Sequence, residues 1–201
     1  MISQTSRKGR PTGRTPTRAQ LLEAATALLR ESGLSGAGIN EIVRASGAPK
    51  GSVYHFFPGG KNQIVSEALE LHTARTVAFI EQTLAGPRGP AKKLEALFAA
   101  YAGRLESGRY RMSCPSGTIC LDLDAEMETL RARVAATFDR YIEAIARHVR
   151  VGSPRRSKAF AAFVLTAIQG AFIRGRADRS GEPFREAGAW LATLADALSN
   201  D

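Results

Sequence analysis

The sequence of 201 residues contains only two cysteines and no long apolar segment. Two thiols are too few for the disulfide framework of a small secreted domain, so a reducing compartment is expected. No apolar run approaches the roughly 20 residues that cross a bilayer, which argues against an integral membrane protein. The basic N-terminus is followed by Gly and Pro residues instead of the apolar stretch of a signal peptide. We therefore expect a cytoplasmic protein without a membrane partner.

The motifs of several enzyme classes are also missing. The sequence has no Gly-x-Ser-x-Gly, no phosphate-binding Gly loop and no His-Glu-x-x-His. The three histidines, His55, His72 and His148, are too dispersed to suggest a metal site. Acidic residues at positions 122, 124, 126 and 128 alternate along the chain, which favours a solvated helix N-terminus over a cation site. We expect a protein that is not an enzyme and that needs neither a metal nor another cofactor.

Positive charge is in excess and is unevenly distributed. The formal net charge is +9, and residues 1–60, with eight basic and three acidic residues, account for +5 of it. The first 18 residues carry five positive charges and no negative one. Residues 1–16 are rich in Gly, Pro, Ser and Thr, so we expect a flexible basic arm. Such an arm either contacts phosphate groups or only keeps the protein soluble.

Apolar residues recur at spacings of three and four through most of the chain, which predicts amphipathic helices. No strand-type alternation is sustained, so the fold class is all-α with eight or nine helices. The second and third helices are separated by about four residues, the spacing of a helix-turn-helix. We predict an N-terminal three-helix domain over residues 17–62 and a larger C-terminal helical domain over residues 63–201. The predicted helices are 17–33, 39–45, 49–57, 61–84, 91–107, 119–122, 125–149, 155–176 and 184–198.

The third predicted helix, residues 49–57, has the composition of a helix that contacts DNA. Val53 and Phe57 lie four residues apart and can face a small core, which leaves the cationic, small and hydroxyl-bearing residues toward solvent. Such side chains bind phosphates and base edges, and a glycine permits close approach. An ordinary amphipathic helix with a solvated face is the alternative. The predicted DNA contacts are Lys50, Gly51, Ser52, Tyr54, His55, Lys61 in the next helix and Arg18 in the first.

Residues 47–61 resemble the recognition helix and exit turn of the TetR family of transcriptional repressors. Residues 24–33 and 39–42 resemble the first two helices of that family, so the resemblance covers about residues 17–70. Ala37 and Gly38 depart from the Thr that the family often has at the start of its second helix.

The exit turn, residues 58–61, is one residue longer than the family's usual Pro-Ser-Lys. This longer turn, together with Cys114-Pro115, Gly117 and Cys120-Leu121, is similar to the LmrA/YxaF-like subgroup.

The resemblance implies a homodimer that binds a palindromic operator in double-stranded DNA and is released by a small-molecule effector of unknown identity. The C-terminal domain would then bind the effector and hold the dimer together. For every residue assigned to these roles, ordinary packing within one chain is the alternative. The predicted dimer contacts are Phe163, Ala167, Gly170, Ala171, Trp190 and Leu194. The predicted effector contacts are Phe98, Tyr101, Met112, Cys120, Phe138, Tyr141, Gln169 and Phe172.

Other interpretations remain open from the residues alone. Cys114 and Cys120 are either a redox pair or two unreactive thiols. The chain could be an all-α protein that binds or transforms a small molecule without touching DNA. It could also be a nucleoid protein that binds any duplex with equal affinity.

Overall fold

The computed structural model describes residues 17–199, and within that range the chain forms nine helices and no strand, which confirms the all-α prediction. The predicted basic arm, residues 1–16, lies outside the described residues. The helices are α1 Arg18–Gly36, α2 Ile39–Ser46, α3 Lys50–Phe56, α4 Gly60–Ala85, α5 Pro90–Ser107, α6 Pro115–Leu121, α7 Glu128–His148, α8 Pro154–Asp178 and α9 Glu182–Ser199.

Local sequence signals set the ends of the first helices. Thr17 and Gln20 form a capping box, in which each side chain accepts a hydrogen bond from the other residue's backbone N–H. Gly33 adopts φ +68° inside α1, so the helix breaks where it was predicted to end and then continues for a short stretch to Gly36. Gly47 ends α2 at φ +69°, a conformation that costs glycine little. This turn sets the angle at which α3 leaves α2.

Two predicted boundaries are wrong. The sixth helix is predicted to begin at residue 119, but α6 already begins at Pro115, whose fixed φ suits the first position of a helix. The helix α7 begins at Glu128 instead of residue 125, because a turn at Asp124 accepts the backbone N–H groups of Glu126 and Met127. The acidic residues at 122–126 therefore do not form a helix N-terminus.

The buried apolar residues form two clusters. The first contains Leu21, Ile42 and Phe57 of the N-terminal helices and continues into α4, α6 and α7, where Ile119 and Val134 join it. The second lies among α4, α5, α7, α8 and α9 and is rich in aromatic residues. The first cluster therefore packs α4, α6 and α7 against the three N-terminal helices.

Candidate functional site

The helix α3 presents its polar residues on one surface. Val53 and Phe57 are fully buried and anchor the helix to the first apolar cluster. Of the predicted DNA contacts, Lys50, Gly51, Tyr54 and His55 are exposed and Ser52 is half-buried. The ring of Tyr54 is 53% exposed, which is high for a large side chain with an apolar body. The structure therefore brings the five α3 residues together at the protein surface.

Lys61 and Arg18 lie at the edges of this surface and also make contacts within the chain. The ammonium group of Lys61 donates a hydrogen bond of 3.0 Å to the carbonyl oxygen of Leu34 at the end of α1. Arg18 forms an ion pair with Glu67 and lies over the ring of Phe57, with 4.8 Å between its guanidinium carbon and the ring centroid. Both side chains hold α1 against the start of α4, and their contact with DNA stays a prediction.

A cavity lies in the C-terminal part of the chain, next to α1. The centres of water molecules can occupy about 30 Å³ of it, which is room for roughly two or three waters. We call it the inner cavity. Its lining comprises Arg30, His72, Thr76, Tyr101, Arg104, Leu105, Met112, Ser113, Cys114, Tyr141, Leu165, Ile168, Gln169 and Phe172.

Five of the eight predicted effector contacts line the inner cavity, and three do not. Phe98 is fully buried against α9, where a Cβ at Gly188 would come within 2.6 Å of the Phe98 Cβ. Cys120 is exposed to solvent. Phe138 packs, half-buried, against both apolar clusters. The structure therefore places Phe98, Cys120 and Phe138 outside the cavity.

Three basic residues that are not among the predicted effector contacts also line the inner cavity. Arg30 comes from α1, His72 from α4 and Arg104 from α5. They form no sequence motif, because each lies on a different helix and they are far apart in the chain. The only available signal was that each interrupts or borders an apolar helical stripe.

A second hollow adjoins the inner cavity and shares part of its lining. Its volume open to the centre of a water molecule is about 320 Å³, and we call it the vestibule. The vestibule also contains an ion pair in which Arg75 donates to Glu23 over 2.8 Å. The residues that line both hollows, and so stand at their junction, are Arg30, His72, Thr76, Arg104 and Met112.

A charged group in the inner cavity lacks a partner. The buried Nε of Arg30 makes no hydrogen bond with the described residues, whereas the buried hydroxyl of Tyr141 lies near the side chains of Thr73, Thr76 and Ser116. Burial lowers the pKa of Arg30, and the nearby positive charge of Arg104 lowers it further. Burial raises the pKa of Tyr141 to about 12, so this hydroxyl stays protonated and able to donate. A polar ligand would give the Nε of Arg30 the hydrogen bond that it lacks.

His72 is held neutral at the junction of the two hollows. Its Nε2 lies 3.0 Å from the hydroxyl oxygen of Thr76. Burial is the main cause that lowers the pKa of His72 to about 3, and the charges of Arg30, Arg104 and Arg75 add to the effect. The folded protein resists protonation of this ring, whereas the unfolded chain does not. Protonation below the ordinary histidine pKa therefore favours the unfolded state.

We expect the free energy of unfolding to fall as the pH drops through the ordinary histidine range. The unfolded ring takes up a proton below about pH 6.5 and the folded ring only near pH 3. The contribution of His72 to the free energy of unfolding is therefore complete above pH 6.5 and is lost progressively as the pH falls toward 3. From about pH 7.5 to about pH 5 the loss is about 2 kcal/mol. Urea unfolding of the parent and of His72→Gln at both pH values measures it. Equal pH dependence in the two proteins would contradict the assignment.

The helix α6 joins the inner cavity to α1. The hydroxyl of Thr118 donates to the carbonyl oxygen of Leu29 over 2.7 Å. At the end of α6 the carboxylate of Asp122 accepts the backbone N–H of Ser35 over 2.9 Å. On the opposite side, a Cβ at Gly117 would come within 2.6 Å of Oε1 of Gln169, a residue that lines the cavity. The helix α6 therefore contacts both a residue that lines the cavity and α1.

The two cysteines differ in their surroundings. Cys114 is buried and Cys120 is exposed, and both are free thiols. Partial burial raises the pKa of Cys120, and Cys114 raises it further, so the thiolate that oxidants attack is disfavoured. Among residues 17–199, no three His, Cys, Asp or Glu side chains are grouped as metal ligands.

The helices α8 and α9 carry apolar side chains on their outer surface. Phe163 is 53% exposed, Trp190 76% and Leu194 39%. Gly170 is also exposed, Ala167 is half-buried, and Ala171 is buried within the chain. Ile173 extends the same stripe, although the sequence analysis did not select it. We call this surface, made of Phe163, Ala167, Gly170, Ile173, Trp190 and Leu194, the α8/α9 face.

No helix within residues 17–199 is both long and apolar enough to cross a membrane. Two family models match the chain. Residues 21–68 match the model of bacterial regulatory proteins of the tetR family. Residues 90–190 match the model of the C-terminal domain of LmrA/YxaF-like transcriptional regulators.

Two relatives and one solved structure extend these matches. The HTH-type transcriptional regulator Rv0196 of Mycobacterium tuberculosis (strain ATCC 25618 / H37Rv) is 31% identical over 173 residues, 83% of this chain and 87% of the relative. The HTH-type transcriptional repressor DhaR of Mycobacterium sp. (strain GP1) is 27% identical over 195 residues, 92% of this chain and 93% of the relative. A cysteine mutant of the regulator CifR, solved with operator DNA, superposes with a TM-score of 0.78 at 18% identity, over 90% of this chain and 98% of that one.

The exposed α3 residues thus lie in the part of the chain that matches the tetR model, and the inner cavity lies largely in the part that matches the LmrA/YxaF-like model. The chain belongs to the TetR family of DNA-binding transcriptional regulators and carries an LmrA/YxaF-like C-terminal domain.

Proposed function

We propose that this regulator is a homodimeric repressor, that it binds a palindromic operator through α3, and that a small molecule bound in the inner cavity releases it. The surface of α3 carries the DNA part of this proposal. Lys50, Gly51, Ser52, Tyr54 and His55 share a surface whose helix is anchored from behind by buried Val53 and Phe57. DhaR is a repressor and CifR was solved with operator DNA, which supports the same role for this chain.

The α8/α9 face supports the homodimer. Large aromatic side chains that remain exposed together on two adjacent helices are unusual for a monomer and typical of an interface. Small residues between them, Ala167 and Gly170, permit a second copy of the same helices to approach closely. Pairing of two such faces forms a four-helix seam and presents two copies of α3 to successive major grooves of the operator.

The helix α6 supports the release step. It bonds to α1 through Thr118 and Asp122 and lies against cavity-lining Gln169 through Gly117. A ligand that widens the inner cavity displaces α6 and, with it, α1 and the helices packed on it. The two arrangements need differ by only about 1–3 kcal/mol in DNA affinity to produce regulation.

We expect duplex DNA from the regulator's own upstream region to bind at least about 10³-fold more tightly than scrambled DNA of the same length. Fluorescence anisotropy across a salt series measures both affinities, and a steep salt dependence reports the phosphate contacts. Tyr54→Ala weakens specific binding, while Lys61→Ala reduces the salt slope. Equal affinity for both duplexes would identify a nonspecific nucleoid protein, and no salt-dependent binding at all would identify a protein without a DNA function.

A matched control removes a lysine that lies away from α3. Lys92 is an exposed residue on α5 that pairs with Glu95 over 2.8 Å. Lys92→Ala therefore changes the net charge as Lys61→Ala does, and we expect it to leave the salt slope unchanged. If both variants shift the slope equally, Lys61 makes no local phosphate contact.

A further inference from the structure

The junction of the inner cavity and the vestibule holds more positive charge than the chain neutralises. Arg30 and Arg104 line both hollows, and neither forms an ion pair with a residue between 17 and 199. Glu31 follows Arg30 in sequence but pairs with Arg111, and Glu23 pairs with Arg75. The acidic groups near the junction are therefore committed to other arginines.

The side chain of Arg30 is the less solvated of the two. Its Nε is buried and makes no hydrogen bond with the described residues, which is costly for a charged group. The guanidinium of Arg104 lies over the ring of Phe79, with 3.5 Å from its central carbon to the ring centroid. That stacking occupies one face of Arg104 and leaves its N–H edge free for a planar acceptor.

Much of the remaining lining of the inner cavity is apolar. Tyr101, Leu165, Ile168 and Phe172 line it, and the rings of Tyr101 and Phe172 meet edge to face with centroids 5.7 Å apart. The hydroxyl of Tyr141 is buried and lies near the side chains of Thr73, Thr76 and Ser116. The apolar part of the lining thus suits a ring or short hydrocarbon, and the two arginines suit an anion.

We propose that the effector is a small carboxylate with an apolar body, and that its carboxylate is bound between Arg30 of α1 and Arg104 of α5. The apolar body occupies the inner cavity against Tyr101 and Phe172. This assignment rests on the proposed function, because it names the chemical class of the effector for the same cavity.

The position of Arg30 gives the ligand a direct contact with the N-terminal domain. Arg30 lies on α1, and its carbonyl oxygen accepts the backbone N–H of Ser113, a residue that lines the inner cavity. A carboxylate that draws Arg30 toward Arg104 therefore pulls on α1 itself. This contact acts in addition to the push through α6.

The size of the inner cavity requires its lining to open on binding, because about 30 Å³ is too small for a ring and a carboxylate together. Met112 lines both the inner cavity and the vestibule, whose volume is about 320 Å³, and is the most flexible apolar side chain that the two share. Methionine is flexible and fills irregular space, so it can rotate away at little cost.

The test compares carboxylates with their neutral amides of nearly equal shape: benzoate with benzamide, phenylacetate with phenylacetamide, and cinnamate with cinnamamide. Binding to the DNA-free protein is measured by calorimetry at millimolar ligand. We expect at least one carboxylate to bind about tenfold or more tightly than its amide, because a charged hydrogen bond is lost in the amide. If no carboxylate binds more tightly than its amide, the proposal is wrong.

Two variants locate the anion. We expect Arg30→Met and Arg104→Met each to weaken the carboxylate about tenfold or more and to change the amide less than about twofold. Arg133→Met, an exposed position on α7 outside both hollows, is the matched control and leaves both ligands unchanged. If Arg133→Met has the same effect as the other two, the carboxylate responds only to net charge and the assignment fails.

The melting temperature of the ligand-free variants gives a second readout. Because Arg30 carries an unpaired charge that is partly buried, Arg30→Met melts at or above the temperature of the parent. A clear decrease would assign Arg30 a structural role and overturn the anion site. DNA release is measured separately: a carboxylate that binds through Arg30 without weakening operator binding contradicts release by the effector and leaves the anion site intact.

Discussion

Gly51→Glu is expected to weaken operator binding by about 100-fold or more while leaving the fold intact. A Cβ at Gly51 would meet no atom within 4 Å outside its own helical backbone, so the free protein has room for a side chain. Glutamate is also a better helix former than glycine and is favoured near a helix start, which raises stability by up to about 1 kcal/mol. In a DNA complex the added carboxylate faces the phosphates and the groove edge. The substitution therefore destabilises the DNA complex and not the free protein.

The expected loss is large because a dimer carries the substitution twice. About 1.4 kcal/mol or more per half-site gives a loss of about 100-fold or more in operator affinity. Anisotropy with the operator duplex measures affinity, and thermal unfolding measures the fold. Gly103→Glu is the matched control, since Gly103 is exposed on α5 and has equally open space around it. Undiminished binding by Gly51→Glu would show that α3 does not face DNA.

Gly170→Glu is expected to separate the dimer into folded monomers. Gly170 lies in the α8/α9 face, and a Cβ there would meet no atom within 4 Å outside its own helix. A carboxylate fits the surface of one protomer, but in a homodimer two of them would be buried without partners near the symmetry axis. We expect the dimer to weaken by about 100-fold or more, equivalent to about 3 kcal/mol per dimer.

Sedimentation equilibrium measures this change in association, and circular dichroism checks that the helices persist. Gly103→Glu serves again as the control with the same change in charge. Operator affinity is expected to fall along with dimerisation, because a monomer contacts only one half-site. A Gly170→Glu protein that remains a dimer would place the interface elsewhere on the molecule.

The helices and the surface of α3 were predictable because their signals are local. Thr17 caps a helix, Gly33 and Gly47 take the left-handed conformation, and the three-and-four spacing of apolar residues marks which side is buried. In α3 that spacing selects Val53 and Phe57 for the core, so the opposite side had to be exposed. These inferences need no knowledge of the neighbouring helices.

The errors arose where a tertiary contact overrides a local pattern or where the pattern is too short to identify. The acidic stretch from residue 122 was read as a solvated helix N-terminus, but Asp122 instead accepts the N–H of Ser35, 87 residues earlier in the chain. The early start of α6 at Pro115 was missed because a short helix has too few apolar positions to show a period. Cys120 and Phe138 were predicted to contact the effector but lie outside the inner cavity. Packing of the helices leaves Cys120 exposed and places Phe138 against the two apolar clusters.

The sequence by itself determined the all-α class, the helix-turn-helix spacing and the concentration of positive charge in the first 60 residues. Only the tertiary structure decided that Arg30, His72 and Arg104 meet at one cavity, and that Phe163 and Trp190 remain uncovered. The physical reason is that periodicity specifies which side of a helix is apolar, whereas packing specifies which helix meets that side. A cavity or an uncovered face is what several helices leave between or outside their contacts, so no single segment encodes it.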